Sequence, residues 1–284
     1  MITKYYIPTR DRAGDQKTLR CLPKQILKNT FIVCEKNQRR KYILHCKDIL
    51  PKKNIIPFPQ KIGRFLIDGY GCFSDKKQWI IENTDSNFLF FLDDDFNFSV
   101  RKKSKLIRAN KAEVGKYLNI MKDWMELEGL AHVGMSARGG NNRVKQSFIE
   151  STRGTGVVGF NISIIKKENI KMNRLILMSD LDTTLTLLEK GYKNKVTYDC
   201  AYDQKGTNTD GGCSKYRTEK TMKESAFKLQ SLHAPGIVNA SLKKTKHVWS
   251  GFDTNKRWDV TIQWKKAYKQ GLMSRNKNIT DFLS

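Results

Sequence analysis

No stretch of this chain approaches the roughly 18 consecutive apolar residues that a membrane-spanning helix needs. The opening Met1-Ile-Thr-Lys-Tyr-Tyr also lacks the apolar core of a signal peptide. A cytoplasmic protein is therefore expected. The six cysteines, at 21, 34, 46, 72, 200 and 213, form no C-x-x-C pair. Thiolate metal sites are excluded on spacing, and without a secretion signal a disulfide framework is not expected. Neither G-x-G-x-x-G nor G-x-x-x-x-G-K-[ST] occurs, so the dinucleotide fingerprint and the P-loop are both missing. Acid is scarce: 28 Asp and Glu face 53 Lys and Arg, a net charge of +25. Such an excess calls for a polyanionic partner, nucleic acid first and an anionic membrane or cell-wall polymer second. The plain alternative is heavy lysine use of the kind found with AT-rich genomes.

What is present is a well-spaced series of apolar runs. At 284 residues and 39% hydrophobic, the chain can bury one large α/β core or two small ones. Tyr5-Tyr-Ile-Pro8 reads as a strand, residues 18–28 as a short helix broken at Pro23, and Phe31-Ile-Val-Cys34-Glu35 as a second strand that residues 42–46 extend. Asn54-Ile-Ile-Pro is a short third strand. Ser74 caps a helix over 75–83, and a strand follows at 88–92. This alternation predicts a mainly parallel sheet covered by helices. Downstream come a helix over 113–128, strands at 131–136 and 156–165, a helix over 177–191 ending at a glycine, a strand at 195–199, and a helix over 218–232. Residues 203–219 read as a polar, glycine-rich loop. No repeat or linker interrupts the chain. One domain over 1–240 is expected, with a basic, aromatic extension over 241–284 packing on it.

The strand Phe88-Leu-Phe-Phe-Leu ends abruptly in Asp93-Asp94-Asp95. A buried strand ending in acids is how an α/β sheet presents metal ligands at its carboxyl edge. Mg²⁺ or Mn²⁺ favours one or two carboxylates, with phosphate oxygens and water completing the shell. A divalent metal holding a diphosphate is the functional reading; a solvated acidic turn is the bland one. Arg101-Lys-Lys-Ser-Lys-Leu-Ile-Arg-Ala-Asn-Lys111 carries no acid, and Arg138-Gly-Gly-Asn-Asn-Arg143 is a basic glycine-rich loop. Both suit phosphate contacts.

A first strand ending in Pro-x-Arg, an acidic second strand end, the Asp triplet and the later Ser179-Asp180-Leu-Asp182 helix start together resemble the GT-A class of nucleotide-sugar glycosyltransferases. Over roughly residues 2–235, Asp93-Asp94-Asp95 looks like that class's D-x-D motif, and 179–182 like its acceptor-side E-D-x-D element, with Ser179 departing from the usual Glu. Ile7-Pro-Thr-Arg10, Lys76-Lys-Gln-Trp79, the strand from Gly156 to Phe160 and Asn208-x-x-Gly-Gly-Cys-Ser214 are most similar to the phage and kinetoplastid enzymes that glycosylate hydroxymethylated pyrimidines in DNA.

The resemblance implies a GT-A-type, Rossmann-like mixed sheet and a nucleoside-diphosphate sugar as donor, expected to be a UDP-sugar, with Mn²⁺ or Mg²⁺ as cofactor. It implies Asp93 and Asp95 as metal ligands, with His233 as the third and His247 behind it. Pro8, Thr9, Arg10, Arg12, Glu35, Lys76 and Asp94 would meet the donor. Asp180, with Asp182 as the alternative, would be the base of an inverting transfer. DNA would be held by Arg101, Lys102, Lys103, Lys105, Arg138 and Arg143. The implied setting is DNA hypermodification, in the host cytoplasm if the chain is phage-encoded. Two other readings stand beside it: an enzyme of the same fold acting on a glycan, lipid-linked or protein acceptor, and a metal-dependent nucleic-acid-binding protein or nuclease.

Overall fold

The computed structural model describes residues 1–204, 211–249 and 252–283, and the side chains as far as 276. Among the described residues the strands are β1 (Thr3–Pro8), β2 (Thr30–Glu35), β3 (Ile55–Phe58), β4 (Leu66–Ile67), β5 (Tyr70–Gly71), β6 (Phe88–Phe91), β7 (Asn97–Lys102), β8 (Lys105–Arg108), β9 (His132–Ala137), β10 (Phe148–Glu150), β11 (Val158–Asn161), β12 (Asn194–Asp203), β13 (Val238–Lys244) and β14 (Lys256–Ile262). The helices are α1 (Lys17–Cys21), α2 (Lys24–Leu27), α3 (Arg39–Cys46), α4 (Phe73–Asn83), α5 (Lys111–Leu127), α6 (Arg138–Asn141), α7 (Ile162–Lys167), α8 (Ser179–Glu189), α9 (Glu219–Leu232) and α10 (Trp264–Leu283). None is long and apolar enough to cross a membrane.

The main sheet runs β3-β2-β1-β6-β11-β9-β12-β7-β8, with β10 beside β12. The β1, β2, β3 and β6 pairings are parallel, as is β9 with β12. Only β7, β10 and β11 run against the rest. The expected mixed, mainly parallel sheet flanked by helices is thus what the chain forms.

Period-two alternation fills both faces. Tyr5, Ile7, Phe88 and Phe90 point to one side, where α1, α2, α3 and α5 cover them with Leu19, Ile26, Tyr42, Leu118 and Met121. Tyr6, Leu89 and Phe91 point to the other, against Ile80, Ile162, Ile165 and Leu187 of α4, α7 and α8. The unbroken apolar run at 88–92 is needed because β6 is covered on both faces, each fully buried side chain stabilising the fold by about 1.5–3 kcal/mol.

Three local readings change. Residues 42–46 belong to α3 rather than a strand, because Tyr42 and Cys46 are one helical turn apart and share its buried face. The strand expected to reach 165 stops at Asn161, whose side chain accepts from the Ser163 N–H and starts α7. Helix α4 is capped at Cys72, with Asp75 closing a capping box, while Ser74 donates to the Leu175 carbonyl. Part of the polar loop, 205–210, and Asn208 with it, lies outside the described residues.

The C-terminal elements rest on the back of α8. Leu181, Leu185 and Leu188 pack against Leu229, Val238 and Ala267. A Cβ on Gly271 of α10 would come within 2.3 Å of the Leu188 carbonyl oxygen, so only glycine allows this approach.

His132 on β9 is fully buried, neither ring nitrogen has a hydrogen-bond partner, and it lies flat against Phe160. Burial pushes its pKa down to about 3. The unfolded chain therefore takes up a proton near pH 6.5 that the fold refuses, so the fold loses stability as pH falls from about 6.5 toward 3. His132→Leu removes two unsatisfied polar atoms and should raise unfolding free energy by about 1–2 kcal/mol at pH 7, and by more at pH 5. Denaturant melts at the two pH values check this; equal midpoints would contradict it.

Candidate active site

The parallel strands β1, β2 and β6 all end at one edge, bringing together Thr9, Glu35 and the Asp triplet. The acid loop is clamped from α1. Thr18 accepts from the Phe96 N–H at 2.9 Å, donates its hydroxyl to the Asp93 carbonyl at 2.5 Å, and its own N–H bonds the Asp94 carbonyl at 3.1 Å. These bonds fix which carboxylates turn inward. Asp94 turns to the protein: Thr9 donates to it, and Arg12 reaches it at 2.9 Å. The same Arg12 nitrogen lies 3.2 Å from Asp95.

A cavity opens in front of this loop as two connected lobes. The first, about 170 Å³, is lined by Asp93, Asp94, Asp95, Arg12, Phe73, Lys77, Asp180, Ser214 and Arg217. The second, about 640 Å³, is lined by Ser136 to Asn141, Arg153, Tyr198, Tyr202, Met222, Trp249, Arg257 and Asp259. Asp93, Gly156, Met178, Asp180, Gln204 and Arg217 belong to both. Asp180 reaches this junction because α8 starts there, after Met178 in the left-handed region at φ 62°. A non-glycine residue held in that conformation beside a cavity is stored strain of the kind found at functional sites. Gly211, at φ 84°, lets the chain return over the first lobe; a Cβ there would strike Arg12 at 2.8 Å.

Burial, together with the neighbouring Asp94, Asp95 and Asp180, pushes the Asp93 carboxyl up to about 7, against the opposing charge of Lys77. Burial likewise raises Asp94, opposed by Thr9 and Arg12. Such a concentration of acid awaits positive charge.

The expected site residues divide. Asp93, Asp94, Asp95, Arg12 and Asp180 line the first lobe. Pro8, Thr9, Arg10, Glu35 and Lys76 are gathered beneath it rather than lining it. Lys76 is fully buried, bonded at 2.8 Å to Glu35 and at 2.7 Å to the Thr9 carbonyl. Burial lowers its pKa against the pull of Glu35. Arg10 gives its Nη2 to the Ile67 carbonyl and to Asp68 at the β4–β5 turn, while its Nε, 3.5 Å from Glu35, and its Nη1 are buried without a hydrogen-bond partner among the described residues. Lys77, one residue on, reaches the lobe instead.

His233 does not meet the Asp triplet. Its Nε2 lies 3.0 Å from Asp182 and its Nδ1 2.7 Å from Glu189, so both ring nitrogens are committed to α8. Burial opposes its charge, but these two carboxylates more than offset that and raise its pKa. Asp182 turns away from the cavity, fully buried under a two-point contact with Arg174 at 2.5 and 2.9 Å. It is a structural anchor, and Asp180 is the acid at the junction. His247 is exposed, its carbonyl accepting from the Thr245 hydroxyl.

Of the expected DNA contacts, Arg138 borders the second lobe and Arg143 is exposed beyond it. Arg101 is consumed by the Val144 and Asn141 carbonyls and the Asn141 side chain, so it shapes that loop instead of facing outward. Lys102 pairs with Glu113. Lys103 and Lys105 are exposed at the β7–β8 turn, and Asn97 is the β7 residue level with Asp203 at the acid edge. Six residues of strand put that turn about 20 Å from the edge.

Sequence reasoning missed Arg153, Arg217 and Arg257, which no periodic pattern marks. Among the described residues no group of three or more His, Cys, Asp and Glu is arranged to hold a metal. Asp93 and Asp95 face one lobe and suit a divalent ion only if a ligand's phosphates complete the shell.

Several solved structures are similar to this chain at low sequence identity. Crystal structures of Staphylococcus aureus TarS 1-349 align at 13% identity over 81% of this chain and 66% of theirs, TM-score 0.46, and at 14% over 81% and 67%, TM-score 0.49, in complex with UDP-GlcNAc. Against the first, this chain spans just under two thirds of the length. Glucosyl-3-phosphoglycerate synthase from Mycobacterium tuberculosis, in complex with Mg²⁺ and UDP, aligns at 10% over 90% and 89%, TM-score 0.47. No curated protein matches the chain. Residues 3–212, which supply β1 to β12 and most of the first lobe, match the model of one enzyme family. The chain belongs to the TET-associated glycosyltransferases.

Proposed function

We propose that the enzyme moves a sugar from a nucleoside diphosphate, expected to be UDP, to the hydroxyl of a 5-hydroxymethylpyrimidine in DNA. The observation that carries this reading is the meeting of two lobes at Asp93 and Asp180. A group-transfer enzyme needs donor and acceptor to share one reacting centre, with a base on the acceptor side.

The first lobe is the diphosphate end of the donor site. Arg12, Lys77 and Arg217 stand around it and would neutralise the charge that develops on the leaving phosphate. A divalent ion held by Asp93, Asp95 and the diphosphate would add to that neutralisation when bound. The acceptor oxygen attacks the anomeric carbon, the bond from that carbon to the phosphate oxygen breaks, and Asp180 takes the hydroxyl proton. Inversion follows from this single displacement. For Arg10 and Glu35 to meet the nucleoside, the Arg10–Asp68 contact in the β4–β5 turn must open.

The second lobe, about 640 Å³, has room for a nucleotide flipped from the helix. Tyr198 and Trp249 offer faces for its base, and Arg138, Arg153 and Arg257 offer charge for its phosphates. The net charge of +25 supports the same acceptor.

The test is transfer itself. Protein, Mn²⁺ or Mg²⁺ and a panel of nucleotide sugars are incubated with DNA containing 5-hydroxymethylcytosine or 5-hydroxymethyluracil, and the digested nucleosides are weighed. A pentose- or hexose-sized gain on the modified nucleoside is expected. Metal-dependent hydrolysis of a nucleotide sugar without that gain would move the acceptor to a glycan or protein.

A further inference from the structure

The β13–β14 hairpin lies beyond residues 3–212 and carries unusual charge. Residues 241–284 hold ten Lys and Arg against three Asp, +7 of the chain's +25 in 44 residues. Within the hairpin, Lys243 sits directly opposite Arg257, and Lys244 opposite Lys256. Like charges facing each other destabilise a pair of strands, and a two-stranded ribbon has little stability to spare. One carboxylate relieves them: Asp259 lies 2.9 Å from Arg257 and 3.7 Å from Lys243. Among the described residues Lys244, Lys246 and Lys256 have no acidic partner.

Side-chain alternation separates the two faces of the ribbon. Trp258 packs on Phe227 of α9 at 4.9 Å, so its face rests on the protein. Arg257 and Asp259 take the opposite face and line the second lobe, and Lys243 shares that face. Trp249, in the connection between the strands, lines the same lobe, with the Arg257 guanidinium 4.6 Å from its ring centre. Lys246 is exposed in the connection between the strands, and Lys244 and Lys256 take the opposite face with Trp258. On the lobe face Lys243 and Arg257, which share the single carboxylate of Asp259, lead to an aromatic plate at the mouth of a nucleotide-sized cavity. That combination holds a nucleic-acid backbone and stacks an unpaired base.

We infer that the β13–β14 hairpin is the DNA-holding wall of the acceptor lobe, with Lys243 and Lys246 on the backbone and Trp249 against the extruded base. This rests on the DNA-acceptor reading and assigns to the hairpin a role expected from sequence for the 101–111 ribbon. A small donor does not need charge spread along a hairpin of two seven-residue strands.

The test uses the full chain and a 20-base-pair duplex carrying one 5-hydroxymethylcytosine, with binding read by fluorescence anisotropy at several salt concentrations. Lys243→Gln/Lys246→Gln should weaken binding at 0.1 M salt by at least about tenfold and flatten the log–log salt slope by about 1.8 if both meet phosphates. Removing a cation that faces another should leave the melting temperature unchanged or raised, so the variant is expected to fold. Affinity and slope equal to wild type would overturn the inference while leaving the DNA-acceptor reading intact. A wild-type protein that neither binds the duplex nor glycosylates it would sink both together. Acetylation footprinting of the unaltered protein gives a second measurement: the duplex should protect Lys243 and Lys246, and full reactivity of both in its presence would equally overturn it.

Discussion

Asp180→Asn is expected to reduce sugar transfer by about 10²–10⁴-fold while leaving the fold and nucleotide-sugar binding near wild type. That range is what a positioned general base contributes. Asn keeps the size and the hydrogen-bonding edge of Asp but cannot take the acceptor proton. Asp180 stands at the junction of the two lobes and, among the described residues, its side chain makes no hydrogen bond or ion pair, so little structure is lost with its charge. Asp182, two residues on, should behave in the opposite way. It is fully buried and holds Arg174 and His233 together. Asp182→Ala leaves those partners without their carboxylate and should cost about 3 kcal/mol, the low end of the range for a broken buried pair, since Arg174 keeps some contact with water. Parallel assays of kcat and of unfolding on the two variants decide between them. A stable, inactive Asp182 variant beside an active Asp180 variant would exchange their roles.

The two aspartates show how far the chain could be read without coordinates. Their common helix was legible, because the acids precede an apolar series and a glycine closes it. Which one faces the cavity was not, because that depends on how α8 docks against α9 and on where Arg174 lies. The Asp triplet was legible for a simpler reason: a five-residue apolar run closed by acids, in a chain of alternating strands and helices, reads as a covered strand, and its end falls at a sheet edge. Lys76 and Lys77 differ by about 100° around α4. Lys76 is four residues before Ile80, on the buried face, whereas Lys77 is four after Phe73, which lines the lobe. That spacing was available in the sequence and favoured Lys77. His233 is another matter: Asp182 and Glu189 are seven apart and share a face of α8, but nothing local says that a histidine 44 residues past Glu189 will bridge them. Arg217 and the hairpin arginine reach the cavity only through loops and tertiary docking, which leave no periodic trace.

Asp93→Asn should make the protein more stable and inactive together, and the gain should depend on pH. In the folded chain the Asp93 carboxyl is raised to about 7 from its ordinary 3.8, by burial first and by Asp94, Asp95 and Asp180 after it. The unfolded chain loses this proton near pH 3.8, whereas the fold holds it until about 7. Between those values the unfolded state binds fewer protons than the folded one, so wild-type stability falls as pH rises through the window and levels off above it. At about 1.36 kcal/mol per unit the full cost at pH 8 is a little over 4 kcal/mol. Asp93 faces a cavity that water can enter, so a gain of about 2 kcal/mol for the Asn variant is the better expectation. At pH 4 the advantage should nearly vanish, because the wild-type carboxyl is then protonated and resembles the amide. Transfer, by contrast, should be lost at every pH, since the uncharged amide no longer presents negative charge to the cation and diphosphate that the lobe is built to hold. Urea unfolding at pH 4, 6 and 8, paired with the transfer assay, separates the two effects. A stability difference that is flat with pH would mean that Asp93 is ionised in the free enzyme and already satisfied by Lys77. A gain that grows with pH, in a dead enzyme, would identify the acid edge as strain maintained for the sake of its ligand.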